Sequence, residues 1–272
     1  MGTVIERPPP TQNLVPRRVD VGSIGWARQT NGLLLTRDER LEMWRQAGLY
    51  WLDGIQRKLR HRMGGASDRL ARIDPAEIRF PDSAAARESE ERAVDELSEV
   101  WVNHGYRTYL WAWILGKHDG LEFDEEVLYV GSMVHDIGLA DSNRAVEQRC
   151  FSLTAVEVGD EIAERVGWDR DRSERLADSI VRHINLWIPR RKHPEGYLLH
   201  VGTKLDVVGL RYGDIAPEAI ALVIDRYPRL NFKDTFRPKM RAHHAAVPDG
   251  RPGFYSRKFK SDRMRKNAPF ET

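Results

Sequence analysis

The stretch Val130-Gly131-Ser132-Met133-Val134-His135-Asp136-Ile137-Gly138-Leu139 sets an imidazole beside a carboxylate at the end of an otherwise apolar run. Ahead of it, Asp124-Glu125-Glu126 has the composition of a helix start, and Gly138 that of a stop. Between them Val127, Val130, Val134 and Ile137 recur at helical spacing, which predicts a face turned to a core. A carboxylate carried into a core is costly unless it is paired, hydrogen-bonded or bound to a metal. The stretch thus predicts a buried helix and asks for a chemical reason for Asp136.

A second His-Asp pair, His118-Asp119, follows Lys117 in a polar turn and reads as a solvated helix terminus. What separates His135-Asp136 from it is the company elsewhere in the chain. Upstream, His104, Thr108, Trp111 and Leu115 fall at i, i+4, i+7 and i+11 of one helical face. Downstream, a helix from Arg172 to about Leu186 carries Leu176, Ile180, His183 and Trp187 together. A further helix, Tyr197 to Leu210, puts Leu199, Gly202, Asp206 and Gly209 on one face, its glycines permitting close backbone approach. Taken singly, each histidine reads as a hydrogen-bonded core residue. Three histidines and two aspartates aimed into apolar surroundings are best satisfied together by one divalent cation. Imidazole and carboxylate are the ligands expected for Zn, Fe, Mn, Co or Ni, so ligand type does not choose among them, and zinc is the first expectation.

The remaining segments are all helical or irregular. Residues 1–31 are rich in Pro, Gly and Arg and read as a flexible N-terminal arm; 32–80 read as a helical extension, with a helix from Thr36 to about Met63. Asp82-Ser83 opens a helix running toward Val100, Leu153 to Val166 forms another, and the last runs from Pro217 to Tyr227. Residues 81–236 are the expected catalytic domain and 237–272 a basic tail. Between Arg251 and Lys266 that tail has seven basic residues, one acidic residue and three aromatics, and reads as an arm docked on the body or a neighbouring subunit. With no strand-like alternation of useful length, the fold class is all-α.

Composition narrows the partners. The chain of 272 residues is 41% hydrophobic and 31% charged, with net charge +2, which argues against wholesale nucleic-acid binding. One cysteine, Cys150, excludes an intramolecular disulfide and fits a reducing compartment. No apolar run reaches membrane-span length and no secretion signal is evident, so the expectation is a cytoplasmic protein with a small-molecule substrate and no membrane partner. A homo-oligomer is compatible with all of this.

The order Asn103-His104, then Val134-His135-Asp136-Ile137-Gly138, then Asp206, resembles the HD-domain superfamily of metal-dependent hydrolases. Asn103 to Trp111, Arg182-His183-Ile184-Asn185 and Leu199 to Gly209 are similar to its cyanamide-hydratase-like branch. The resemblance implies an HD helical bundle, with His104, His135, Asp136 and Asp206 as metal ligands. His183 would be a substrate-side or acid/base residue, with Asn103 and Arg107 near the substrate. Two departures stand out: the usual Asn-His-Ser reads Asn103-His104-Gly105, and the usual Phe-Glu reads Phe151-Ser152.

The implied activity is a metal-dependent hydrolase or hydratase. In it the cation acidifies a water, Asp136 takes the proton, and His183 protonates the developing anion. The branch favours a nitrile- or cyanamide-like C–N electrophile. The wider superfamily favours a nucleotide or phosphomonoester, for which Arg107 and Arg190-Arg191-Lys192 are the available cations. A two-iron oxygenase would need His183 and His200 as extra ligands, and a non-catalytic ligand-binding module is the remaining alternative. His200 lies about 120° from Asp206 around a helix, Lys204 is expected to reach solvent or a partner, and Asp141 reads as a loop cap.

Overall fold

The computed structural model describes residues 20–63, 78–139, 149–259 and 269–270; Asp141 lies outside them. Among the described residues the fold is all-α. The helices are α1 (Ile24–Thr30), α2 (Arg37–Met63), α3 (Ala84–Glu96), α4 (Glu99–His118), α5 (Glu125–Val134), α6 (Phe151–Arg165), α7 (Arg170–Arg182), α8 (Pro194–Val208), α9 (Pro217–Arg226), α10 (Phe232–Ala246) and α11 (Arg251–Phe259). A lone bridge joins Leu33 to Gly250. No helix among them is long and apolar enough to cross a membrane.

The core is built on α4, whose Tyr109, Leu110, Trp111, Ala112, Ile114 and Leu115 are all solvent-inaccessible. Helix α8 crosses it at Gly202, where an added Cβ would lie 2.4 Å from the Thr108 carbonyl oxygen and 3.0 Å from the Ala112 Cβ. Helix α5 approaches α4 closely at Gly105, whose added Cβ would lie 3.1 Å from the Ser132 carbonyl oxygen. That approach is a local reason for glycine where the family pattern has serine. Gly202→Ala must push α8 off α4, since backbone cannot yield as a side-chain tip can. It is expected to cost about 1–3 kcal/mol in chemical denaturation, whereas Gly213→Ala, with open space around it, should cost far less.

The ends of α5, α7 and α8 are tied together at Asp124. Its carboxylate caps α5 by accepting from the Glu126 and Val127 amides, at 3.1 Å each, and accepts from Arg172 Nε and Nη2 of α7 at 2.9 and 2.8 Å. The Asp124 amide donates to Glu195 Oε1 of α8 at 2.8 Å. These helices carry the residues of the site.

Four expectations change here. Within the expected arm, Ile24–Thr30 is helical: Ser23 caps it by accepting from the Trp26 amide at 3.2 Å, and Ile24, Trp26 and Ala27 are buried. Glu39 then accepts from Trp26 Nε1 at 2.7 Å and forms a reciprocal capping box with Thr36, fixing α1 to the start of α2. The helix expected from Asp82 to Val100 is two, because Leu97 is extended (φ −120°, ψ 149°). The expected tail is helical, holding α11 and most of α10 where no helix was expected after Tyr227, while its Phe254 and Tyr255 are buried on the body as a docked arm requires. Finally, His118 does end α4, but the Asp119 carboxylate is not solvated. It accepts from Arg211 Nη1 and Nη2 at 2.7 and 2.8 Å, so Asp119 is the partner of Arg211 in a structural ion pair.

Candidate metal centre and the cavity beside it

Helix α5 ends at Val134, three residues before the 3₁₀ turn Ile137–Leu139, so His135 and Asp136 sit where the chain bends into the core. Gly138 is needed for proximity rather than for a helix stop: an added Cβ would lie 2.3 Å from the Phe151 carbonyl oxygen. His104 comes from the middle of α4. One ligand atom each from His104, His135 and Asp136 lies within 4.8 Å of the others, and all three residues are buried.

The hydrogen bonds fix what those atoms offer. His135 Nδ1 lies 2.9 Å from the Ser132 carbonyl, which can only accept, so the proton is on Nδ1 and the Nε2 lone pair faces inward. His104 Nδ1 lies 2.7 Å from Asp206 Oδ2, an ionised carboxylate, which likewise turns the Nε2 lone pair inward. Asp136 Oδ2 stands 3.5 Å from His104 Nε2 and 3.4 Å from His135 Nε2. His104 Nε2 and Asp136 Oδ2 have no hydrogen-bond partner although both are buried. Lone pairs converging in a dry interior need a positive charge between them, and a divalent cation meets that need for two imidazoles and a carboxylate. A proton is the alternative occupant. Burial opposes charge on His104, but Asp136 and Asp206 outweigh it and raise its pKa. Burial likewise opposes ionisation of Asp136, and the neighbouring imidazoles of His135 and His104 overcome it, holding that carboxyl far below the usual range.

Asp206, expected as a fourth ligand, stands one imidazole behind the cluster. Its Oδ1 accepts from Arg107 Nε at 2.9 Å, Arg229 Nη1 at 2.8 Å and Trp111 Nε1 at 3.3 Å. Its Oδ2 accepts from Arg107 Nη2 at 2.9 Å as well as from His104. Both oxygens are spent, which gives the carboxylate–imidazole arrangement that orients a metal-binding histidine from outside. Against the cost of burial, the two guanidiniums and His104 hold the Asp206 carboxyl well below its ordinary pKa.

Arg107 is therefore neither a surface charge nor a substrate contact. It is solvent-inaccessible, and Nη1 is used on the Tyr227 and Pro228 carbonyls, at 3.1 and 2.9 Å. Asn103 Nδ2 donates to the same Pro228 carbonyl at 3.1 Å and clasps the loop after α9. Neither residue lines the cavity described next. Ser152, at the second departure from the family pattern, donates to Cys150 Sγ at 3.3 Å.

Asp136 opens onto a cavity of about 640 Å³ whose wall also includes His183, His200, Thr203 and Lys204. His183 ends α7, and its ring meets that of His135 edge-on with centroids 5.1 Å apart. Its Nδ1 donates to the Ile180 carbonyl, and burial, aided by the charge of His135, pushes its pKa well below the ordinary value. The ring is thus neutral with its lone pair on Nε2, so it can take up a proton before it donates one. His200 Nδ1 donates to the His183 carbonyl at 2.9 Å, and burial and then Lys204 depress its pKa to about 3. Lys204 turns into the cavity wall, where sequence alone pointed it at solvent. Thr203 Oγ1, 3.4 Å from His135 Nε2, and Arg229, on Asp206, were unforeseen.

Buried helices converging on a His, a His-Asp pair and an outer Asp fit a metal-dependent hydrolase or hydratase. Residues 101–226 match the HD domain family. Two cyanamide hydratases of Saccharomyces cerevisiae, DDI2 and DDI3, are each 27% identical to this chain over 173 residues, 62% of its length and 77% of theirs. Over these residues the chain is similar to the HD domain family and to the cyanamide hydratases.

Proposed function

We propose that the chain hydrates a carbon–nitrogen electrophile, a cyanamide or nitrile, at one divalent cation held by His104, His135 and Asp136. The observation that carries this reading is the set of inward lone pairs, two of them on unpartnered buried atoms, opening through Asp136 onto a cavity that also holds His183. The carbon–nitrogen specificity comes from the relatives. When bound, the cation supplies Lewis acidity and acidifies a water in contact with it. Zinc fits the donor set best, and Fe, Mn, Co or Ni fit it too.

The chain's own groups do the remaining work. Ser132 and Asp206 lock the two imidazoles as lone-pair donors. Hydration forms a carbon–oxygen double bond, uses up both π bonds of the C≡N group and moves both water protons to nitrogen. His183 Nε2 accepts the first proton and returns it to nitrogen. Phosphate ester hydrolysis is not favoured, because Arg107 is consumed by Asp206 and backbone carbonyls.

The test is a panel of cyanamide, nitriles and phosphomonoesters, run with a chelator and after zinc is restored. Urea or amide should form only with metal present, and metal-dependent phosphate release in their place overturns the reading. His183→Ala should keep its metal while turnover falls roughly 10²–10⁴-fold, the range for losing a general acid–base group. Loss of metal from that variant would move His183 into the coordination sphere.

A further inference from the structure

The cavity is far too large for cyanamide. A molecule of three heavy atoms takes up roughly 60 Å³, about the share of two waters in the liquid. The cavity of about 640 Å³ is near tenfold that and falls among sites for drug-sized ligands.

Its lining is also of two kinds. The polar groups Asp136, His183, His200, Thr203 and Lys204 come from the turn after α5, the end of α7 and α8. Phe151 and Phe236 stand beside them: Phe151 meets the His183 ring at 5.9 Å and Phe236 the His104 ring at 6.5 Å. Met240, Val207 and Leu186 add further apolar lining. At the α2 end Trp44 packs on Phe259 of α11 with ring centroids 4.9 Å apart, and Trp51 is 72% exposed. Gly48 lies on this stretch of α2, and an added Cβ there would meet nothing within 4 Å.

We propose that the substrate is amphipathic: a reactive carbon–nitrogen head at Asp136 and His183, joined to an aryl or alkyl body that fills the apolar length of the cavity toward Trp44 and Gly48. The head rests on the function proposed above; the body rests on the cavity alone. A cyanamide-sized substrate would leave the aromatic wall unused, whereas a bicyclic arene would displace water from it along the whole length. The cavity discriminates by contact area, so affinity should climb with the size of the body and respond to bulk placed at Gly48.

Binding of two amides, which are products and cannot be hydrated further, separates the body from the chemistry. Titration calorimetry on the zinc-loaded full chain compares 2-naphthylacetamide with acetamide. The naphthyl compound is expected to bind roughly 100-fold more tightly, each buried methylene-sized increment being worth about fourfold. Gly48→Phe should lower that ratio by about tenfold or more, while Gly48→Ala, which adds little bulk, should hold it within about threefold. Circular dichroism of both variants checks the helix. Equal affinities for the two amides, or a ratio indifferent to Gly48→Phe, overturns the proposal even if cyanamide is hydrated. A high ratio abolished by Gly48→Phe sustains it even if no nitrile is turned over, in which case the hydratase reading fails alone.

Discussion

Asp136→Asn is expected to yield a folded protein that no longer retains its cation and turns over at least roughly 10³-fold more slowly. That figure corresponds to about 4 kcal/mol, the scale of charge stabilisation a Lewis-acid centre supplies. Asp136 is the negative member of the cluster, and its Oδ2 lies 3.4 to 3.5 Å from both inward imidazole nitrogens. An amide of the same shape keeps the volume but removes the charge. Its NH₂ group can also donate to a lone pair of His104 or His135 and so occupy the position a metal needs. Added zinc should raise the melting temperature of the wild type and leave that of the variant unmoved. Elemental analysis and melting curves with and without zinc measure both effects. A variant that still binds one equivalent of metal would remove this cluster as the metal centre.

The parts of the site legible in the sequence were those that rest on a local period. His104 is repeated through Thr108, Trp111 and Leu115, and His135-Asp136 ends an apolar helix, so burial of both followed from the helical repeat. The roles of Arg107 and Asp206 did not follow in the same way. Arg107 lies one turn from His104 on the buried face, but its partner is 99 residues away, and no local pattern pairs them. Arg229 adds a third charged group from the loop after α9. The C-terminal helices hid behind their own composition. Phe232, Phe236, Met240 and His243 form a helical stripe, but Pro238 lies inside it and Arg and Lys surround it, which reads as a broken basic tail. Yet Phe236 and Met240 are part of the cavity's apolar lining. Helix α1 is seven residues long, too short for a period to show, and only its Ser23 cap was there to be read.

Asp206→Asn should act on stability and on metal affinity by separate routes. Asp206 is the counter-ion of Arg107 and Arg229, which are 0% and 5% exposed, so the amide strands two guanidiniums in the core. Removing one partner of a buried ion pair typically costs about 3–5 kcal/mol, and chemical denaturation of metal-free protein should show a loss of that size. Adding Arg229→Met takes away one stranded charge, so the double variant should recover at least about 1 kcal/mol over Asp206→Asn alone. Acid behaviour gives an independent reading. The native carboxyl is held well below its ordinary value, so its stabilisation is complete above the ordinary carboxylate pKa. It drains away as pH falls from there toward the depressed native pKa, and the Asn variant should lose stability less steeply over that window. The metal is reached only through His104, whose Nδ1 keeps a hydrogen-bond acceptor in the amide oxygen but loses a charged one. Affinity for zinc should therefore fall by about 10–100-fold, as for other partners that orient a ligand, and saturate at high zinc where Asp136→Asn never does. A folded Asp206→Asn protein that takes up no zinc at any concentration would place Asp206 on the cation itself.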